Sequence, residues 1–314
     1  MRLSKHHGLG NDFLVLLDLE GAATDLGAVA RAACHRHRGV GADGLIHVTR
    51  PPKLASVSSG ARRARETLHR TGLDGPALDG PGLDGPGGPE LDAPGLGGPG
   101  LHRTSIADVA MGLYNADGTR AEMSGNGIAC LAQALVAAGL AGPDRVEVAT
   151  DAGRRSVEVA ATETPRHHRM RVDMGRVTVG EAAATWTADA VLAAATVNIG
   201  NPHVVLRVEE PAKFPIEDVG RRLCETTPGG TNVEAVAPAA DGGLSMVVYE
   251  RGVGRTEACG TGACAAAAAA ANWGLAGDRV MVTMPGGTTE VELGATVHMT
   301  TTVVHVATVE FHWP

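Results

Sequence analysis

The chain has 314 residues, of which 44% are apolar and only 3% aromatic, and it carries a net charge of −8. That length can bury two cores, whereas the acidic balance and the scarcity of rings to stack on bases exclude a nucleic-acid partner. Five cysteines, an odd number without Cys-x-x-Cys spacing, indicate neither a disulfide framework nor a metal site, and reduced thiols fit a cytoplasmic protein.

Residues 1–7 read as a short polar start with no apolar signal core, and no segment is long and apolar enough to predict a membrane span. Gly8-Leu-Gly-Asn11-Asp-Phe13 then reads as a turn into a buried strand ending at Leu17. Asn11 is a candidate ligand contact, although an asparagine in a turn needs no ligand to explain it. Residues 26–35 have the spacing of an amphipathic helix. The glycines of 38–44 demand tight turns or close backbone approach, and 45–48 follow as a strand.

Residues 51–103 change character. They show no apolar period, only near-repeats of Leu-Asp-Gly-Pro beginning at Leu73 and Leu83. Such a stretch cannot bury enough core to offset its ordering entropy and reads as a disordered insertion. Each doubling of loop length adds only about 0.6 kcal/mol, so a fold tolerates it.

Beyond it, strands are expected at 107–114, 145–150, 156–161, 170–174, 244–249, 279–284, 290–293 and 303–311, with further strands meeting at the turn Gly200-Asn-Pro-His203 and another opening at Asn232. Residues 216–223 look helical. Within this region one unit occurs twice. Arg120-Ala-Glu-Met-Ser124-Gly-Asn-Gly and Arg255-Thr-Glu-Ala-Cys259-Gly-Thr-Gly each follow a tyrosine ten residues before the Ser or Cys, and each runs through an Ala-rich segment to a Gly-Leu-Ala-Gly that starts fifteen residues after it. Each copy predicts a strand, a tight turn and a helix stopped by glycine, with Ser124 or Cys259 where the first helical N–H groups are unpaired. Such a terminus attracts a carboxylate and lowers the pKa of a thiol, so Cys259 is expected to be acidic. Two such termini facing one ligand would place a proton remover and a proton donor on opposite faces of a carbon. Cys130 and Cys264, deeper in these helices, are expected to be inert packing residues.

With Gly8-Leu-Gly-Asn-Asp-Phe13, Asn115-Ala-Asp-Gly118, Ser124-Gly-Asn-Gly127, Gly200-Asn-Pro-His203, Asn232-Val-Glu234, Glu250-Arg251-Gly252 and Ala258-Cys-Gly-Thr-Gly-Ala-Cys264 in one order, the chain resembles the diaminopimelate epimerases throughout, except over 51–103. The resemblance implies an α+β fold of two pseudo-symmetric domains, each a mostly antiparallel sheet wrapped around a central Ala-rich helix. The site would lie in the cleft between them. The first half would take 1–167 plus 303–314 and the second 168–302. It implies interconversion of LL- and meso-2,6-diaminopimelate without a cofactor, and a homodimer in the cytoplasm.

By the same resemblance Cys259 and Ser124 hold the catalytic positions. Asn11, Asn115, Asn201, Asn232, Glu250 and Arg251 bind the substrate's charged ends, Gly125-Asn126 and Gly260-Thr261 offer N–H groups to its α-carboxylate, and His203 stands near. None of the three lysines, Lys5, Lys53 and Lys213, sits in a phosphate-cradling loop, which argues against pyridoxal phosphate. Ser124 replaces the family's first catalytic cysteine, Ala129 an arginine and Gly44 a glutamine. The serine keeps open a related racemase, epimerase or dehydratase acting on another amino acid, and a non-catalytic amino-acid-binding protein. Acyl transfer by Cys259 and His203 is the remaining alternative.

Overall fold

Strand-forming runs are paired by glycine turns into a mixed α+β fold described, in a computed structural model, for residues 1–51, 107–141, 145–182 and 190–313. Apart from Pro51, the expected insertion lies outside the described residues. The strands are β1 (Arg2–Gly8), β2 (Asn11–Leu17), β3 (Gly44–Thr49), β4 (Ala107–Asn115), β5 (Arg120–Ala121), β6 (Val146–Thr150), β7 (Gly153–Thr164), β8 (His167–Gly175) and β9 (Thr178–Glu181). They continue as β10 (Ala193–Asn198), β11 (Pro202–Arg207), β12 (Asn232–Pro238), β13 (Leu244–Glu250), β14 (Gly254–Thr256), β15 (Arg279–Met284), β16 (Gly287–Glu292) and β17 (Val297–Glu310). Among the described residues four α-helices interrupt them: α1 (Leu26–Ala33), α2 (Gly125–Ala137), α3 (Ile216–Thr226) and α4 (Gly260–Asn272).

The polar start proves to be a strand. Leu3, His6 and Gly8 of β1 are buried, their spacing shifted by a bulge between Lys5 and His6, in a strand held on both sides by β2 and by β17. Its histidines and lysine mask the alternation that marks a strand in sequence. The helix expected over 26–35 ends at Ala33, and the other expected strands and helices differ from those observed by a few residues at their ends.

The duplication in sequence is also a duplication in pairing. β1–β2, β3–β4, β4–β5, β6–β7 and β7–β8 are antiparallel, while β2–β3 and β4–β6 are parallel. The same order and senses recur in β10–β11, β11–β12, β12–β13, β13–β14, β13–β15, β15–β16 and β16–β17. β17 closes the first set by pairing with both β8 and β1, which leaves that ring of strands no free edge.

α2 packs against β1, β2, β8 and β17, and α4 against β10 to β13 and β15 to β17. Both helices are buried from their first glycine through their third turn. For α4 this works because Ala263 and Ala265–Ala270 have almost no bulk, so the backbone can approach the strands closely. A larger side chain there would force off-rotamer packing at about 1–3 kcal/mol.

Candidate active site

The tyrosine, glycine and serine or cysteine of the repeated unit take equivalent places. Ser124 caps α2 in an extended conformation, its Oγ accepting from Gly127 N at 3.0 Å. Cys259 caps α4 in the same way, its Sγ accepting from Gly262 N at 3.3 Å. The first N–H groups of each helix, including those of Gly125 and Asn126 and of Gly260 and Thr261, have no intrahelical acceptor. The two termini converge, for a Cβ added to Gly260 would lie 3.2 Å from Asn126 N and 3.0 Å from Met299 Sδ.

Ser124 and Cys259 line one cavity of about 290 Å³. Asn11, Asn115, Asn201, Asn232, Glu250, Arg251, Gly260 and Thr261 line it as well. Gly125, Asn126 and His203 do not. Asn126 is buried, with its amide 3.5 Å from Asn11 Oδ1, and His203 lies fully buried behind Asn201.

Each polar group is held by a neighbour. The turn before β2 uses left-handed Leu9 and Gly10 to set Asn11, which donates to Asp43 Oδ2 at 2.9 Å. Asn115 Nδ2 donates to Thr119 Oγ1 at 3.1 Å. Asn232 accepts the Arg251 backbone N–H at 2.9 Å and donates to Pro202 O at 3.1 Å. The Arg251 guanidinium donates to Gly229 O at 3.0 Å and to the Glu122 carboxylate. Thr256 donates to Glu250.

Burial pushes the Glu250 carboxyl up to about 7, against hydrogen bonds from Thr256 and Cys259, and Asp43 and Glu234 add to the rise. Burial likewise raises the Cys259 thiol, and Glu250 and Glu234 raise it further. This corrects the expected acidic thiol. The Gly262 N–H and the Thr261 hydroxyl do favour the thiolate, but loss of water and two carboxylates outweigh them. Cys259 is therefore a thiol that holds a proton. Cys130 and Cys264 are fully buried, with thiols raised by burial.

Sequence reasoning missed Asp43, Glu122 and Arg120, all of which line the cavity. Glu122 and Arg120 belong to the repeated unit and could have been found there. Asp43 sits in the glycine-rich turn, and only its partners Asn11, Asp12 and Arg36 mark it. The apolar wall of Phe13, Leu113 and Met123 carries no local signal. Among the described residues no group of three or more His, Cys, Asp or Glu is placed to hold a metal ion, and no helix is long and apolar enough to cross a membrane.

The family model for diaminopimelate epimerase matches residues 95–180 and 195–308. The chain is 33% identical over 298 residues to a diaminopimelate epimerase of Thermobifida fusca, which covers 94% of this chain and 92% of the relative. It is 34% identical over 308 residues to that of Rhodococcus erythropolis, covering 91% and 90%. Among solved structures, a probable proline racemase from Agrobacterium radiobacter superimposes with a TM-score of 0.63 at 15% identity, covering 98% of this chain and 92% of the other. A hydroxyproline epimerase from Agrobacterium vitis gives 0.60 at 14%, covering 98% and 90%. At those identities the likeness is one of fold.

Proposed function

This chain belongs to the diaminopimelate epimerase family, and on that premise we propose that it interconverts LL- and meso-2,6-diaminopimelate by moving a proton at one α-carbon. It is an isomerase of the amino-acid epimerase type. The observation that carries the finer reading is that Ser124 and Cys259, the caps of two equivalent helices, line one cavity.

In this reading the cavity is the cleft between two pseudo-symmetric halves, 1–167 with 303–314 and 168–302. The substrate's α-carboxylate lies between the two helix termini. Removing an α-proton puts negative charge on that carboxylate, and preorganised N–H donors stabilise it without reorganising. Arg251, Asn201 and Asn232 take the distal charged end. Cys259, held as a thiol, delivers a proton to one face of the carbon and becomes a thiolate, and the proton on the other face goes to Ser124 Oγ in the small fraction of molecules whose hydroxyl has given up its own proton. A hydroxyl is a weak base, so the Ser124 face limits turnover. No cofactor is required. The enzyme would act in the cytoplasm as a homodimer and supply lysine and peptidoglycan precursors.

The test is solvent-deuterium exchange at the α-carbon of each diaminopimelate stereoisomer, with product chirality read in parallel. Exchange with inversion that is lost in Cys259→Ala supports the reading, and its absence with both isomers rejects it. Ser124 favours one second reading, a related racemase, epimerase or dehydratase acting on another amino acid, or a weakened amino-acid-binding homologue. A substrate screen with chiral product analysis would reveal the former.

A further inference from the structure

Glu234 and His203 form a pair that the other repeat lacks. Both side chains are fully buried, and His203 Nδ1 lies 2.8 Å from Glu234 Oε1. Strand register identifies the equivalent positions. Phe13 pairs with Gly44 as His203 pairs with Asn232, so two residues further on Ile46 stands where Glu234 does. The tyrosines of the repeated unit agree, since Leu45 pairs with Tyr114 and Val233 with Tyr249. Where one repeat has Phe13 and Ile46, the Cys259 repeat has a buried acid and base.

Such a pair is costly to bury, and a packed apolar pair of similar volume is often as stable or more so. The same chain uses that apolar solution at the equivalent place. Glu234 Oε2 has no hydrogen-bond partner, and a Cβ on Gly262 would lie 2.7 Å from Oε1, so the carboxylate sits against the first turn of α4.

From the pair a line of contacts runs to the thiol. His203 Nε2 is 3.0 Å from Asn201 Oδ1, Asn201 Nδ2 donates to Thr261 Oγ1 at 3.4 Å, and Thr261 Oγ1 is 3.4 Å from Cys259 Sγ. With Asn201 N–H on its lone pair, the Thr261 hydroxyl turns its own proton toward Cys259. Were the Asn201 amide reversed, Thr261 would donate to Asn201 and the sulfur would lose a donor. A neutral ring donating from Nδ1 would present Nε2 as an acceptor and favour that reversal. Asn201 Oδ1 faces Nε2, so Nε2 is the donor there, and the hydrogen bond between Nδ1 and Glu234 Oε1 satisfies the other nitrogen and leaves Nε2 that role.

We propose that Glu234 is a positioning residue for Cys259, setting through His203 and Asn201 the direction of the Thr261 hydroxyl so that it donates to the thiol sulfur. This builds on the epimerase reading, and one arm of its test is independent of that reading.

Three variants of the full chain are compared with the wild type: Glu234→Ile, Glu234→Gln, and the double change His203→Phe with Glu234→Ile, which copies Phe13 and Ile46. Glu234→Ile should lower kcat for α-proton exchange by about 10²-fold, as expected when a reacting group is misplaced, with KM within about threefold. Its Cys259 should be alkylated by iodoacetamide about tenfold more slowly than that of Glu234→Gln, as read on the Cys259 peptide by mass spectrometry, because both changes remove the Glu234 charge that raises the thiol and only Glu234→Ile loses the Thr261 donor.

Glu234→Gln, whose amide can donate to Nδ1 and leave the proton on Nε2, should stay within about fivefold of wild type in kcat and keep the faster alkylation of the two. The double variant should melt no lower than the wild type and turn over as slowly as Glu234→Ile. A double variant with wild-type turnover, a Gln variant that turns over as slowly as the Ile variant, or Cys259 alkylated as fast in Glu234→Ile as in Glu234→Gln would each overturn the proposal. Alkylation involves no amino-acid substrate, so it decides the point even if the protein leaves diaminopimelate untouched.

Discussion

Arg251 donates its guanidinium to the carboxylate of Glu122, so a residue beside Ser124 in one repeat occupies a cation placed by the other. Both side chains are partly exposed, at 29% and 45%, and such pairs are worth only about 0–1 kcal/mol. In the proposed reading a substrate carboxylate would displace Glu122 at little cost. Arg251→Ala should raise KM for diaminopimelate by about 10–100-fold, as expected for a charge-assisted contact of about 1.5–3 kcal/mol. Glu122→Gln should change it by less than about fivefold. Steady-state kinetics of the two variants would check this.

Ser124 caps α2, and in the proposed reading it also faces the substrate. Ser124→Ala removes the acceptor for Gly127 N–H and should cost about 1 kcal/mol, lowering Tm by about 2–4 °C. Its exchange of the substrate proton should vanish on one face only. Ser124→Cys keeps a capping atom, supplies a thiol and should exchange faster than the wild type. Calorimetry and deuterium incorporation into each stereoisomer separate the two roles.

Glu250 sets a pH dependence with an uncommon sign. Its carboxyl, ordinarily near 4.5, is raised by burial to about 7. The folded chain therefore binds more protons than the unfolded one between those values, and this group's contribution to stability falls as pH rises through that window. Melting temperatures measured across it should fall more steeply for the wild type than for Glu250→Gln. In activity, the wild-type pH profile should show a limb near neutrality that Glu250→Gln lacks.

The resemblance sets Gly44 in the place of a glutamine, and the surrounding backbone resists that residue. A Cβ there would lie 2.8 Å from the carbonyl oxygen of Tyr114 and 3.4 Å from the Phe13 ring. Gly44→Gln should destabilise the fold by about 1–3 kcal/mol, read as a drop in Tm, with no gain in exchange rate. Ala129, set by the resemblance in the place of an arginine, is fully buried in α2. Ala129→Arg would bury an unpaired guanidinium and should leave little soluble folded protein.

What the sequence determined alone is what depends on neighbours along the chain. The glycine turns, the Ser124 and Cys259 caps, the Ala-rich helices and most strands follow from local periodicity and backbone preference, and the matched spacings reveal the repeat. Tertiary structure decided what depends on groups far apart in sequence. β1 became a strand because β17, at the far end of the chain, pairs with it. Asp43 and Glu122 entered the cavity only when the two repeats met. The protonation of Cys259 reversed its expected direction for the same reason. A helix terminus is a local source of positive potential, but loss of solvent and the approach of Glu250 and Glu234 are properties of the packed molecule, and in a buried site they prevail.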